Sequence, residues 1–202
     1  MCGIVGAVAR DNVVPVLLEG LLRLEYRGYD SAGLVVSNNS LHRLRTTGRV
    51  AELIKLVGEQ NAEGLAGIAH TRWATHGAPS ERNAHPHISG TESQIAVVHN
   101  GIIENHEAMR KRLQADGYVF VSDTDTEVIA HLVDYHLKQT ADLFKAVCLS
   151  IAELQGAYAI GVMEEVRPDR IVVARNGAPL LLGLGDDGNY AASDASVKPG
   201  KS

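Results

Sequence analysis

The chain has 202 residues, of which 45% are hydrophobic, enough to bury one sizeable core without disulfide or metal staples. Its formal net charge of −5 and lack of any run of Lys or Arg give no general attraction to nucleic acid or anionic membrane, so a small soluble substrate is expected. Two cysteines, Cys2 and Cys148, are too few for a secreted disulfide scaffold and fit a reducing, cytoplasmic setting.

In chain order, residues 2 to 9 form a short apolar run without the basic flank of an export signal, and it is too short to cross a bilayer. It predicts a buried strand. Val14, Leu17, Leu18, Leu21 and Leu22 share one stripe of a helix, and residues 31 to 37 form a second apolar strand. A strand is expected at 65 to 71, then a long loop from about Ala74 to Glu92, of the kind that is usually functional or disordered, then a strand at 95 to 99. Three helices follow: one capped by Asn105 and running to about Ala115; one from a Thr124/Glu127 capping box to about Gln139; one striped by Leu143, Val147, Ile151 and Leu154. Strands at 157 to 163, 170 to 175, 180 to 184 and 189 to 193 complete the order. Strands at both ends and helices between them imply layered α and β rather than an alternating parallel sheet. Residues 196 to 202 are polar and expected to fray, leaving one domain over 2 to 195.

Cys2 admits two readings. It is a small hydrophobe starting a buried strand, or, once Met1 is removed, a nucleophile whose own α-amine is the base. That amine has a reference pKa of about 7.7 to 8.0, so near neutrality it can take the thiol proton, directly or through water.

Three strings separate these readings: Cys2-Gly3-Ile4-Val5-Gly6; Arg23-Leu24-Glu25-Tyr26-Arg27-Gly28-Tyr29-Asp30-Ser31-Ala32-Gly33; and His70-Thr71-Arg72-Trp73-Ala74-Thr75-His76-Gly77. With Val98-His99-Asn100-Gly101-Ile102-Ile103-Glu104-Asn105 and Ser122-Asp123-Thr124-Asp125-Thr126-Glu127, in that order, they closely resemble the glutaminase domain of the glucosamine-6-phosphate synthases (glutamine–fructose-6-phosphate aminotransferases). The opening pentapeptide alone is shared with other class II amidotransferases; the longer strings are not.

The resemblance implies an α+β fold, the four-layer αββα sandwich of N-terminal-nucleophile hydrolases, and hydrolysis of the L-glutamine side-chain amide by Cys2. It assigns Asn100 and Gly101 to the oxyanion hole, Arg72 to the substrate α-carboxylate and Asp125 to its α-ammonium. Trp73, Thr75 and His76 fall in a loop that closes over substrate, with Trp73 a gate to the ammonia path; His85 and His99 hold loop and pocket by hydrogen bonds. Bland readings stand beside these: Asn100-Gly101 as a turn ending a strand, Asp125 as first-turn helix charge, Arg72 as a surface salt bridge. His70, His76, His85, His87 and His99 invite a metal reading, and His85-Pro86-His87 looks superficially like a ligand pair, but there is no second Cys or His pair at zinc spacing, so no metal or other cofactor is expected. Cys148 is read as core. Gly183 to Gly188 is acidic with no following lysine and reads as a turn, not a phosphate loop.

The family's partner for ammonia is a sugar-isomerase domain acting on fructose 6-phosphate, and its full-length members are homo-oligomeric. Compared with that family, the 202 residues are expected to lack those domains and the last glutaminase strands, and missing strands would leave an open sheet edge. Two alternatives remain open: an inactive glutamine-binding module, and a stand-alone glutaminase feeding a separate isomerase chain.

Overall fold

The computed structural model describes residues 2–74, 77–90 and 94–197. Among these residues, ten strands form two antiparallel sheets, and five α-helices cover their outer faces. The first sheet has the order β3-β2-β4-β1-β10-β9, from β1 (Gly3–Ala9), β2 (Ser31–Ser37), β3 (Leu41–Thr47), β4 (Ala66–Arg72), β9 (Leu181–Leu184) and β10 (Gly188–Ala192). The second has the order β5-β6-β7-β8, from β5 (His87–Ser89), β6 (Ile95–Ile103), β7 (Gly156–Glu164) and β8 (Val172–Asn176). Helices α1 (Val14–Leu24) and α2 (Val50–Gln60) lie on the first sheet; α3 (His106–Ala115), α4 (Thr126–Thr140) and α5 (Leu143–Glu153) form the layer on the second. The architecture is the four-layer αββα sandwich that the resemblance implied.

Strand alternation explains the layering. On β1, β2 and β4 one set of side chains (Val5, Ala7, Leu34, Val36, Ala69) packs with Leu17 and Leu21 of α1 and Leu53 of α2. The opposite set (Ile4, Val35, Ile68) faces Ala96 and Val98 of β6 and Ala159 and Met163 of β7, forming the core between the sheets. Ile95, Val97, Ile160 and Val162 point the other way, into Val128, Ile129, Leu132 and Val133 of α4. Helix α4 is buried on most of its circumference, and each fully buried aliphatic side chain contributes about 1.5–3 kcal/mol.

Most predicted elements are present, with informative differences. The strand expected at 95 to 99 runs on to Ile103, because the turn reading of Asn100-Gly101 does not hold: both pair with β7. Gly101 sits at φ 130°, and a Cβ there would overlap the Ala157 carbonyl oxygen. Asn105 begins α3 without a side-chain cap; its amide instead donates to Glu153 O at 2.9 Å and accepts from Gln155 N–H at 3.1 Å, tying α3 to the α5–β7 turn. The Thr124/Glu127 box is half formed. Thr124 Oγ1 accepts from Glu127 N–H at 3.3 Å, but the Glu127 carboxylate turns to the Val121 and Ser122 N–H groups and the Ser122 hydroxyl.

The loop after Ala74 contains a short 3-10 turn (Glu81–Asn83) and β5. Cys148, expected in the core, is exposed on α5, because the buried stripe of that helix runs through Leu143, Ala146, Val147 and Ser150. Of the polar C-terminal stretch, Ser196 O accepts from Arg23, and Val197 packs against the α1 core. β9 is an outer strand whose Leu181, Leu182 and Leu184 are exposed. No helix among the described residues is long and apolar enough to cross a membrane.

Candidate active site

Cys2 immediately precedes β1 in the middle of the first sheet, and β4 is its hydrogen-bonded neighbour. Placing Cys2 here leaves its side chain at the end of the space between the sheets, where β6 of the second sheet arrives with Asn100 and Gly101. The Trp73 N–H donates to Cys2 Sγ at 3.3 Å, and the Asn100 Nδ2 amide donates to the Cys2 carbonyl at 3.1 Å. Burial pushes the Cys2 thiol up from its ordinary value; the Trp73 hydrogen bond and the Arg72 charge work the other way without overcoming it. A thiol so placed needs a base to become a nucleophile.

A cavity of about 270 Å³ opens beside Cys2. Its wall includes Cys2, Arg72, Trp73, His85, His99, Asn100, Gly101 and Asp125, every site residue proposed from sequence that lies among the described residues. Thr75 and His76 lie outside the described residues. The surface salt-bridge reading of Arg72 fails, since the side chain is buried and donates to Gly77 O at 3.2 Å. Asp125 precedes α4 without capping it; its Oδ2 accepts from Ile103 N–H at 2.9 Å. The cavity thus holds a guanidinium and a carboxylate on its walls, a pairing that suits the zwitterionic end of a free amino acid.

Local packing explains the two longer strings. The Gly28 Cα lies against the Arg72–Trp73 peptide, where a Cβ would come within 2.8 Å of the Trp73 nitrogen. Asp30 Oδ2 then accepts from Ala74 N–H at 2.8 Å, and Asp30 N–H donates to Arg72 O. Tyr29 meets Trp73 edge-on, with ring centroids 5.5 Å apart. Gly33 lets the His85 carbonyl pass over β2, where a Cβ would overlap it. One string is the seat on which the other rests.

His70, His85, His87 and His99 are buried, each with a hydrogen-bond partner. His85 Nδ1 is 3.1 Å from His70 Nε2, His87 Nε2 is 3.0 Å from Thr124 Oγ1, and His99 Nδ1 is 3.0 Å from Thr126 Oγ1. Burial pushes His70 and His87 down to about 3 and His85 well below its ordinary value. Sequence reasoning gave no role to Arg27, Ile102, Thr124, Thr126, Ala178 or Pro179, which also line the cavity. Arg27, Ile102, Thr124 and Thr126 lay inside strings already singled out; Ala178 and Pro179 lay in a stretch with no signal beyond a turn.

A glutamine amidotransferase domain model matches residues 70–197. The glutamine–fructose-6-phosphate aminotransferase (isomerizing) of Pseudomonas syringae pv. tomato is 58% identical over 196 residues, covering 96% of this chain and 32% of the relative. That of Xylella fastidiosa is 56% identical over 198 residues, covering 98% and 32%. The chain spans about a third of the length of the curated relatives it matches. Among solved structures, the glutamine phosphoribosylpyrophosphate amidotransferase of B. subtilis superposes with a TM-score of 0.84 at 28% identity, over 97% of this chain and 42% of that one.

Proposed function

The chain belongs to the glutamine amidotransferase domain family, and from that premise we propose that it hydrolyses the side-chain amide of L-glutamine with Cys2, freed of Met1, as nucleophile. The observation that carries this reading is the convergence on one cavity of a thiol at the head of β1, the Asn100 amide and Gly101 from β6, and the Arg72/Asp125 pair. Arg72 and Asp125 hold the α-carboxylate and α-ammonium, which fixes the distance from that end of the substrate to its amide carbon.

The α-amine of Cys2 takes the thiol proton, the thiolate adds to the amide carbon, and the carbonyl electron pair moves onto oxygen facing the Asn100 and Gly101 donors. Collapse of this intermediate breaks the C–N bond, and the departing nitrogen takes the proton back from the amine and leaves as ammonia. A water then attacks the γ-glutamyl thioester, giving the proton to the regenerated thiolate and releasing glutamate. In a larger assembly the ammonia would pass to a sugar-isomerase domain or chain acting on fructose 6-phosphate, as the names of the related aminotransferases suggest.

The test is turnover by the purified chain: glutamate and ammonia should appear in equal amounts, with Cys2→Ala inactive. A chain that binds glutamate by calorimetry yet releases no ammonia after verified removal of Met1 would be a binding module instead.

A further inference from the structure

His70 stands in β4 with its ring between the two sheets and touches neither the thiol nor, in the proposed pose, the substrate. Its register neighbours are Ile4 on β1 and Gly33 on β2, so it belongs to the sheet that carries the nucleophile. Its Nε2 atom, however, reaches the other sheet: it is 3.0 Å from the His99 carbonyl oxygen and 3.0 Å from Asn100 Oδ1.

The His99 carbonyl can only accept, so Nε2 of His70 carries the proton. The Asn100 atom facing that N–H must then be the oxygen, which turns Nδ2 away from His70 and toward Cys2, where it is seen donating to the Cys2 carbonyl at 3.1 Å. His85 Nδ1, 3.1 Å from the same N–H, must be bare, so the proton of a neutral His85 ring sits on its Nε2. An amide side chain has no preference of its own between its two orientations; its partners decide. With the flipped orientation, a lone pair would face the developing oxyanion and two N–H groups would confront each other at His70.

We propose that His70 is the positioning residue of this site: its Nε2–H, fixed by the His99 carbonyl, holds Asn100 with Nδ2 as the oxyanion donor and sets the register of β6 against β4 where nucleophile and donor meet. This deepens the glutamine-hydrolysis reading and rests on it. Burial keeps His70 neutral, its value pushed down to about 3, so the donor is present throughout the range in which such a site would work.

The test compares His70→Phe and His70→Gln in the parent and in an Asn100→Ala background, measuring glutamine turnover. Removing an oxyanion donor costs roughly 10²- to 10³-fold in kcat, which bounds the effect of mispositioning it. His70→Phe should lower kcat about ten- to a hundredfold with KM held within about twofold. His70→Gln, which places an N–H near the same point, should recover most of the loss. In the Asn100→Ala background His70→Phe should add no more than about twofold, since the group it positions is gone.

An equal loss from His70→Phe in both backgrounds, or a raised KM with unchanged kcat, would overturn the proposal. Should the phenylalanine variant fail to give a folded circular dichroism spectrum, His70→Met repeats the comparison with a flexible apolar chain. A parent that releases no ammonia sinks the functional reading and this proposal with it. An active parent with Asn100→Ala impaired and His70→Phe unchanged sinks only the role of His70.

Discussion

Three buried histidines make the fold acid-sensitive in a way that can be worked out in advance. His70, His85 and His87 are each almost wholly removed from water and held neutral. In the unfolded chain they would titrate near the reference value of about 6.5. Above that pH neither state binds the protons and stability is complete. As pH falls from about 6.5 toward about 3, the unfolded chain takes up three protons that the folded chain refuses, so stability is progressively lost. Each contributes about 1.4 kcal/mol per pH unit, hence about 4 kcal/mol per unit for the three, and about 8 kcal/mol between pH 7.5 and 4.5. Against a total stability of about 5–15 kcal/mol, the midpoint of acid unfolding should lie near pH 5. Glu127 extends the same limb lower: burial opposes its ionisation, but His131, Ser122 and the Val121 N–H outweigh it and hold it at about 2. Urea unfolding followed by circular dichroism at pH 7.5, 6.5, 6.0 and 5.5 measures the slope, and His87→Gln should reduce it by about a third. A slope below about 1.4 kcal/mol per unit between pH 6.0 and 5.5, the worth of one proton, would show that these rings are not excluded from protonation as the burial implies.

A diazoketone shaped like glutamine should give one adduct, on Cys2, whereas a small general alkylating agent should reach the exposed Cys148 first; peptide mass mapping that puts the diazoketone on Cys148 would remove Cys2 from the mechanism. Arg72→Ala and Asp125→Ala should raise KM for glutamine far more than they lower kcat, and Asn100→Ala should lower kcat by about 10²- to 10³-fold, as steady-state kinetics would show. An uncleavable N-terminal extension should abolish turnover while leaving the circular dichroism spectrum unchanged, because the α-amine becomes an amide; full activity in that form would transfer the role of base to another group. The chain by itself should release ammonia in proportion to glutamate and leave added fructose 6-phosphate unaltered; amide-labelled glutamine yielding labelled glucosamine 6-phosphate would reveal a second site.

What could be read from sequence followed burial. Strands β1, β2, β6 and β7 are covered on both faces and appear as apolar runs, and α1 and α5 carry clean stripes. β3 and α2 gave no such signal. β3 is an edge strand with only Leu44 buried, and its Arg45 reaches out to the Ala84 carbonyl at 2.9 Å, so it offers no apolar run to read. α2 buries Val50, Leu53 and Val57 but begins at Arg49 without a capping side chain; the Val50 N–H is satisfied by Glu25, a partner distant in sequence. His70 escaped for the same reason: its role lies wholly in atoms contributed by β6, and nothing in the local string indicates which sheet it will face.

The division of labour between the two sheets explains why the site is assembled as it is. The proposed nucleophile, Cys2, and the proposed oxyanion donor, Asn100, come from different sheets, so neither can be positioned by the hydrogen-bond ladder of its own sheet alone. Apolar packing between Ile4, Ile68, Val98 and Ala159 fixes the spacing of the layers but tolerates sliding, because dispersion contacts have little directional preference. A directional bond across the gap supplies what packing cannot. The His70 contact to the His99 carbonyl and Asn100 amide is such a bond, at the end of the interface where Cys2 sits, and the Asn100 donation back to the Cys2 carbonyl closes the loop. Burying a neutral His70 is part of the stability cost of that contact, and it is largest in acid. The acid sensitivity of the fold and the proposed orientation of Asn100 therefore share one buried ring.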